Sequence, residues 1–339
     1  MVEKVDVLSY YLELTGIKKL LDTDVTEVVI NKPYEILVEN SNGWESFEAP
    51  NASYENLLSL AQTMTVFNKK GDICAATPIK SLTLPNGQRS QIIIPPACEA
   101  GHISMTVRKP SLTRFTLNNY VTSGRFSKAR QAKKGTGELT DIQLELMELY
   151  QKAQNDPTYY ELFFKKGVEA RCNFLVVGGT GSGKTTVAMA IADEFPKDRR
   201  IITIEDAHEM GLPYHPNHVH LFYSEGGVQP KELIQAAMRM KPDHIFLAEL
   251  RGNEAWSYIE ALNTGHEGSV TTIHANNTYA SFSRLAAIVK QSDVGLTLDY
   301  DFVVNTIKSS LDIIIFFNRT YMTEVYFDPQ EKNRILAQL

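Results

Sequence analysis

The sequence lacks any apolar run long enough to cross a membrane. One of its longest, residues 313–317, falls far short of the roughly 18 residues that a spanning helix needs. Only three cysteines are present, Cys74, Cys98 and Cys172, and their wide spacing is typical of a reducing compartment rather than a disulfide framework. Residues 1–14 interleave charged and apolar side chains, so we expect no secretory signal. We therefore expect a cytoplasmic protein.

Acidic residues are missing from residues 100–137, although the whole chain carries a formal net charge of −6. A solvated basic linker would explain most of this stretch, and contact with phosphates or an anionic surface is the alternative. Few aromatic side chains are interleaved with the charges, so we expect no direct nucleic-acid binding. The basic residues of this segment are Arg108, Lys109, Arg114, Arg125, Lys128, Arg130, Lys133 and Lys134.

The length of the chain, 339 residues, indicates two domains, and its two halves differ in pattern. Helical spacing and strand-like runs alternate in the first half, which predicts a small mixed α+β domain over residues 1–123. A basic linker is expected over 124–140. The segments that carry this prediction are helices at 5–21 and 54–67, a hairpin at 27–30 and 35–38, and strands at 91–94 and 103–107.

Short continuous apolar runs recur in the second half, over residues 141–339. Such runs are typical of strands buried on both faces of a parallel sheet, and the helical segments between several of them predict an α/β domain. Helical patterning begins at Thr140-Asp141, and further helices are expected at 185–195 and 230–240. The expected strands are 174–177, 201–204, 245–247, 270–273 and 313–317.

A glycine-rich phosphate-binding motif follows the first of these strands and precedes a helix. Glycines permit positive φ angles, so that backbone amides turn inward around a triphosphate at the positive end of the next helix. We expect Lys184 to reach the β- and γ-phosphates and Thr185 to place its hydroxyl on Mg²⁺. The predicted nucleotide-binding residues here are Gly179, Thr180, Gly181, Ser182, Gly183, Lys184, Thr185 and Thr186.

Acidic residues end two of the predicted parallel strands, where ligands of open α/β sheets bind. Glu249 is our choice for the base that activates the attacking water and for a second Mg²⁺ ligand, and Glu205 is the next candidate. His274, at the end of a third strand, could contact the γ-phosphate or the catalytic acid. Asp243 precedes its strand and suits a capping role, and the roles of His266, Arg239 and Arg251 stay open.

With these residues in place, the chain resembles the traffic ATPases of bacterial type IV secretion systems, the VirB11 family. Residues 178–186 resemble the Walker A loop of that family, 201–210 its acidic box, 238–252 its Walker B region and 264–275 its histidine box. Residues 87–111 are similar to its N-terminal domain. The resemblance implies a RecA-like P-loop C-terminal domain and an ATPase that uses ATP and Mg²⁺.

The resemblance also implies a homo-hexamer whose N-terminal domains bring arginines to the nucleotide, and the matching positions here are Arg89 and Arg108. It implies a motor at the cytoplasmic base of a secretion or conjugation machine, with other secretion components as partners and peripheral contact with the inner membrane. The Walker B strand carries no Asp. The acid of this region is Glu249, one residue beyond Ala248, so whether it coordinates Mg²⁺ directly stays open, as does whether the linker exchanges domains between subunits.

Three other functions compete with this interpretation. A type II secretion or pilus extension or retraction ATPase would share the four motifs, although the three cysteines cannot supply a four-cysteine zinc site. A DNA helicase or translocase could use the same engine, with the basic segment as its support. A scaffold that binds ATP without cleaving it would not need Glu205, Glu249 and His274.

Overall fold

The structure is a computed structural model that describes residues 2–110, 115–129 and 137–338, with side chains from residue 7 onward. Residues 130–136 of the predicted linker, including Arg130, Lys133 and Lys134, lie outside the described ranges, as does Arg114. Within the described ranges, no helix combines the length and the apolar character that crossing a bilayer requires.

The first half of the chain forms a six-stranded antiparallel sheet packed against helices. The strand order is β3-β2-β1-β6-β5-β4. The predicted hairpin and the two later strands are confirmed, whereas β3 and β4 were not predicted, because edge strands with exposed side chains carry no continuous apolar run. The strands are β1 (Glu27–Ile30), β2 (Glu35–Asn40), β3 (Gly43–Glu48), β4 (Ile79–Thr83), β5 (Arg89–Ile93) and β6 (Ser104–Arg108).

The helices before β4 are α1 (Val2–Leu14), α2 (Ile17–Leu21) and α3 (Tyr54–Asn68). The single helix expected at 5–21 is divided, because Gly16 adopts φ 83° in the left-handed region, where a helix cannot continue. Ser53 caps α3 by accepting a hydrogen bond from the amide of Asn56 at 3.3 Å. The short helix α4 (Leu117–Thr122) follows β6 and buries none of its residues.

The second half forms a seven-stranded sheet in the order β13-β12-β7-β11-β10-β8-β9, in which the pairings from β12 to β9 are parallel. All five predicted strands are confirmed. The edge strands β9 and β13 were missed, since they carry polar or exposed side chains between the apolar ones. The strands are β7 (Phe174–Gly178), β8 (Ile201–Glu205), β9 (His218–Phe222), β10 (His244–Leu247), β11 (Val270–Ile273), β12 (Ile313–Asn318) and β13 (Tyr321–Tyr326).

Helices cover this second sheet, and buried side chains of the strands and helices form its core. Thr140 caps the first of them with a capping box, as the sequence predicted for a helix beginning at 141. The helices are α5 (Asp141–Asn155), α6 (Tyr159–Glu169), α7 (Lys184–Ala192), α8 (Pro230–Ala237), α9 (Glu254–Leu262), α10 (Thr278–Lys290), α11 (Asp293–Thr297), α12 (Tyr300–Ser310) and α13 (Pro329–Gln338).

The first sheet lies along the β9 edge of the second. The amide of Phe222, at the carboxyl end of β9, donates to the carbonyl of Ala97 at 3.0 Å. Nearer the amino ends of the strands, the fully buried Arg200 donates to the side-chain oxygen of Asn31 at 2.8 Å. Lys241, just before β10, forms an ion pair with Glu39 at 3.0 Å. The two sheets are therefore joined by polar contacts at both ends of β9.

Candidate nucleotide-binding site

The phosphate loop joins β7 to α7 at the carboxyl end of the parallel sheet. Gly181 and Gly183 adopt φ angles of 70° and 89°, which side chains rarely allow. Gly183 is the N-cap of α7, so the free amides of the first helical turn point toward the loop. The predicted strand, loop and helix are thus all present, and their arrangement favours an anion.

Gly178 ends β7 where the loop folds back on the strand. A Cβ atom at this position would lie 2.4 Å from Oγ of Ser182 and 2.6 Å from the carbonyl oxygen of Phe317. Both distances are far below van der Waals contact, so only glycine allows the loop to close here. The loop geometry therefore depends on packing against β12 as well as on its own glycines.

Lys184, His274 and Glu249 form a continuous chain of contacts at the rim of the sheet. The ammonium of Lys184 lies 3.0 Å from the carbonyl oxygen of Gly179 and 3.4 Å from Nδ1 of His274. On its other side, Nε2 of His274 lies 3.1 Å from Oε1 of Glu249. Burial lowers the pKa of Lys184, while the charge of Glu249 opposes that shift. Three predicted site residues are thus brought together.

Arg251 contacts the second oxygen of Glu249. Its guanidinium lies 2.7 Å from Oε2 of Glu249 and 2.6 Å from Oδ2 of Asp206, and these contacts raise the pKa of Arg251, with the hydrogen bond to Glu249 as the main cause. Both carboxylate oxygens of Glu249 are therefore engaged. The structure places Arg251, whose role was open, beside the predicted base.

Glu205 is fully buried, unlike Glu249. Its Oε1 accepts from the hydroxyl of Thr203 at 2.6 Å, and its Oε2 accepts from the amides of Glu209 and Met210 at 2.8 and 2.7 Å. Burial alone would raise the pKa of Glu205, but the hydrogen bonds from His220, Thr203 and the two amides together hold it below its ordinary value. This geometry favours a residue that shapes the following turn over a second base.

Glu209 was missed by the sequence analysis and lies at the phosphate loop. Its Oε2 is 3.3 Å from the hydroxyl of Thr185, the residue predicted to hold Mg²⁺. Carboxylate and hydroxyl oxygens are the donors that Mg²⁺ prefers, so this pair fits the ion. The signal in the sequence was the acid-rich turn after β8. It did not point to Thr185, because the two residues are 24 positions apart in the chain.

A second group of potential metal ligands, Glu205, His208 and His220, lies beside this turn, with ligand atoms within 4.8 Å of one another. The oxygens of Glu205 already accept the hydrogen bonds described above, including one from His220 at 3.3 Å. A metal ion here would have to displace bonds that hold the turn of Glu209. These residues therefore fit a structural hydrogen-bond network better than a metal centre.

Arg89 and Arg108 lie away from the phosphate loop of their own chain. They are direct cross-strand partners at one end of the first sheet, and Nε of Arg108 donates to Glu27 at 2.5 Å. Glu39, in the same row, contacts Lys241 at the amino end of β10. Because the phosphate loop follows the carboxyl end of β7, the arginine pair lies toward the opposite end of the second sheet.

Three further residues from the sequence analysis also lie away from the loop. Arg239, after α8, donates to the hydroxyl of Ser81 at 3.3 Å and so joins the two halves of the chain. His266 precedes β11 and therefore lies at the amino end of the strand whose other end leads to His274; burial lowers its pKa. Asp243 accepts from the amide of Arg200 at 2.8 Å, so its role is structural, although it joins the starts of β8 and β10 instead of capping a helix.

Comparisons with known proteins identify relatives of this chain. The family model of the type II/IV secretion system proteins matches residues 139–320. The type IV secretion system protein VirB11 of Bartonella henselae is 39% identical over 94% of this chain and 92% of its own length. PtlH, a type IV secretion system protein of Bordetella pertussis, is 35% identical over 87% of this chain and 86% of its own.

A solved structure shows the same fold. The crystal structure of the VirB11 ATPase from the Brucella suis type IV secretion system, in complex with sulphate, superposes with a TM-score of 0.91. The sequences are 38% identical, and the match covers 98% of each chain. Fold and site together define a RecA-like P-loop ATPase with a mixed α+β N-terminal half. The chain belongs to the type II/IV secretion system proteins and, within them, to the VirB11 family.

Proposed function

We propose that this ATPase is a motor at the cytoplasmic base of a type IV secretion or conjugation system, where it powers pilus assembly or the translocation of protein or DNA complexes. It would act as a homo-hexamer beside other secretion components, in peripheral contact with the inner membrane. The support is the set of relatives, since VirB11 of Bartonella henselae and PtlH are both named type IV secretion system proteins. The family model spans type II systems as well, so a type II or pilus motor is the alternative.

The contact chain from Lys184 through His274 to Glu249 carries the catalytic part of the proposal. Glu249 would orient the attacking water and accept its proton, which requires that Arg251 release Oε2 of Glu249 or turn with it. His274 would report the state of the terminal phosphate, because its ring contacts both Lys184 and Glu249. Lys184 would neutralise charge on the phosphates.

Thr185 and Glu209 would hold Mg²⁺, with Glu249 contributing through the hydration shell of the ion. When bound, Mg²⁺ neutralises charge on the β- and γ-phosphates. Glu205 would act indirectly, because its carboxylate binds the amides of Glu209 and Met210 and so holds the turn against Thr185. This assignment supplies the acid that the Walker B strand lacks.

Arg89 and Arg108 would complete the site of a neighbouring copy. In their own chain they lie toward the far end of the second sheet, and both are exposed. An arginine brought to the transferring phosphate is worth on the order of 10³- to 10⁵-fold in rate in other P-loop enzymes. Hydrolysis would remove that phosphate partner and so move neighbouring copies relative to one another.

A mixing experiment tests this assignment. K184A chains should be inactive alone and R108A chains should keep only a residual turnover, whereas a co-assembled mixture should regain phosphate release, because about a quarter of the junctions in a 1:1 ring pair an intact loop with an intact arginine. Native mass spectrometry would verify that mixed hexamers form. Mixed rings without any recovery would contradict the contribution in trans, and R108A chains with full activity would contradict a role for the arginine.

The host machine needs a separate test. Co-purification of the tagged chain from its native cell should recover inner-membrane components of a type IV secretion system. Recovery of type II or pilus-assembly components alone would favour the alternative motor. Stimulation of ATP hydrolysis by single-stranded DNA, coupled to strand separation, would instead favour a helicase.

A further inference from the structure

Four charged residues, Glu39, Glu27, Arg108 and Arg89, lie in one row across the first sheet. Glu27 on β1 lies opposite Arg108 on β6, and Arg108 lies opposite Arg89 on β5. Like charges directly opposite each other destabilise a sheet. The two arginines therefore need negative charge nearby, and Glu27 is the carboxylate that lies next to Arg108 in their row.

The carboxylate of Glu27 is buried beneath this edge. Its side chain is 3% exposed, whereas that of Arg108 is 49% exposed, so the guanidinium reaches outward from a buried acid. Oε1 of Glu27 accepts from Nε of Arg108, and within the described part of the chain Oε2 has no hydrogen-bond partner. A half-satisfied buried carboxylate is costly for folding, so stability alone explains this arrangement poorly.

The geometry of the contact matters for what Arg108 can still bind. A guanidinium has five N–H donors in one plane, and the bond to Glu27 is made by Nε. The terminal nitrogens carry the remaining donors, which suit a phosphate in a two-point contact. The bond at Nε already restricts the Arg108 side chain. Binding a phosphate would therefore cost less side-chain conformational entropy.

We propose that Glu27 is a positioning residue that orients Arg108, so that Arg108 and Arg89 together face the terminal phosphates of a nucleotide bound to another copy of the chain. This inference rests on the proposed function, because it needs both arginines to act in trans. Glu27 itself would touch no phosphate. Its effect would pass entirely through Arg108.

Glu39 offers a matched control in the same row. It lies opposite Glu27 on the other side, and its carboxylate pairs with Lys241 at 3.0 Å instead of with an arginine of the edge. The variant E39Q removes a charge at nearly the same place without disturbing Arg108. Any effect of net charge or of sheet stability alone should therefore appear in E39Q as well.

A double-mutant cycle in the full-length, assembled enzyme tests the proposal. In the wild-type background, E27Q and E27A should lower kcat on the order of tenfold, whereas in an R108A background they should lower it no further. Binding of a fluorescent ADP analogue to the phosphate loop should stay unchanged, and E39Q should keep wild-type kcat. Glutamine is nearly isosteric with glutamate, so E27Q should fold and assemble. Its unfolding midpoint measures whether it does.

The possible failures can be told apart. Wild-type kcat in R89A and R108A would overturn the trans arginines and this inference with them. Loss of kcat in both arginine variants, but not in E27Q or E27A, would overturn the role of Glu27 alone. If E27Q lowered kcat equally in the wild-type and R108A backgrounds, or weakened ADP binding, Glu27 would have a structural role. Either result would overturn its role in positioning Arg108.

Discussion

The phosphate loop and the arginine pair differ in how many of their charged groups already have partners within the chain. At the phosphate loop, Lys184, His274, Glu249, Arg251 and Asp206 already contact one another within one chain. At the other end, Arg89 and Arg108 face outward with a single buried acid behind them. The charged groups at the phosphate loop are thus brought together by folding, whereas in our proposal the arginines would act only when a second copy brings its phosphates to them.

The largest predicted effect is on turnover, and it differs between the phosphate loop and the arginine pair. E249Q should lower turnover about 10²- to 10⁴-fold at every protein concentration, because the base is lost from each chain. R108A should lower turnover of the assembled enzyme while leaving the low activity of dilute, dissociated chains unchanged. Phosphate release measured across protein concentrations tests this, with E260Q, on the exposed face of α9, as the control. Equal losses for R108A at all concentrations would place the arginine in its own site.

A smaller effect is expected inside the loop network. H274A should lower turnover about 10- to 100-fold, since it removes the ring between Lys184 and Glu249. H266A, before the amino end of the same strand, should leave turnover unchanged. Steady-state kinetics of both variants measures the difference. Equal effects would show that the strand, and not the contact chain, is what the substitution disturbs.

A further prediction concerns Glu209. E209Q should raise the Mg²⁺ concentration needed for half-maximal ATP binding by about tenfold, because Thr185 loses its carboxylate neighbour. Affinity for ATP without Mg²⁺ should stay the same, and E232Q, at an exposed position of α8, should match the wild type. Titration calorimetry with and without the ion measures this. An unchanged Mg²⁺ requirement in E209Q would contradict the assignment.

The smallest effect is on stability, and its sign differs between the two buried acids. The pKa of Glu205 is held below its ordinary value of 4.5, so its ionised form stabilises the fold above that pH and the contribution is lost on acidification. Burial raises the pKa of Glu27, with Arg108 opposing, so its contribution is present below 4.5 and is lost as pH rises through the folded-state pKa.

The free energy of unfolding between pH 3 and 7 tests this contrast. Relative to E205Q, the wild type should lose stability as the pH falls. Relative to E27Q, it should gain stability over the same range. Urea denaturation at a series of pH values gives both slopes, and slopes of the same sign would mean that the two carboxylates do not differ as the structure indicates.

Much of the fold could be predicted because its signals are local. Continuous apolar runs identified the five buried strands of the second sheet, and Thr140 marked the start of α5. Edge strands such as β3 and β9 were missed, since half-exposed strands carry mixed side chains. The helix break at Gly16 was missed because a single glycine is compatible with several local structures.

The site was predictable to a similar extent. The phosphate loop, Glu249 and His274 follow from strand ends, and the structure brings them together. The environment of Glu205 was not predictable, because its burial and its four hydrogen-bond donors come from three separate segments around residues 203, 209 and 220. The roles assigned to these residues remain predictions for the experiments above.

By itself, the sequence determined that this chain binds a nucleoside triphosphate, because glycines, lysine and threonine at fixed spacing after a buried strand create an anion site through local backbone geometry. The tertiary structure alone decided that Glu209 lies against Thr185 and that Glu27 lies beneath Arg108, 81 residues away. Such contacts depend on strand register and on the packing of distant segments. Neither leaves a periodic signal along the chain.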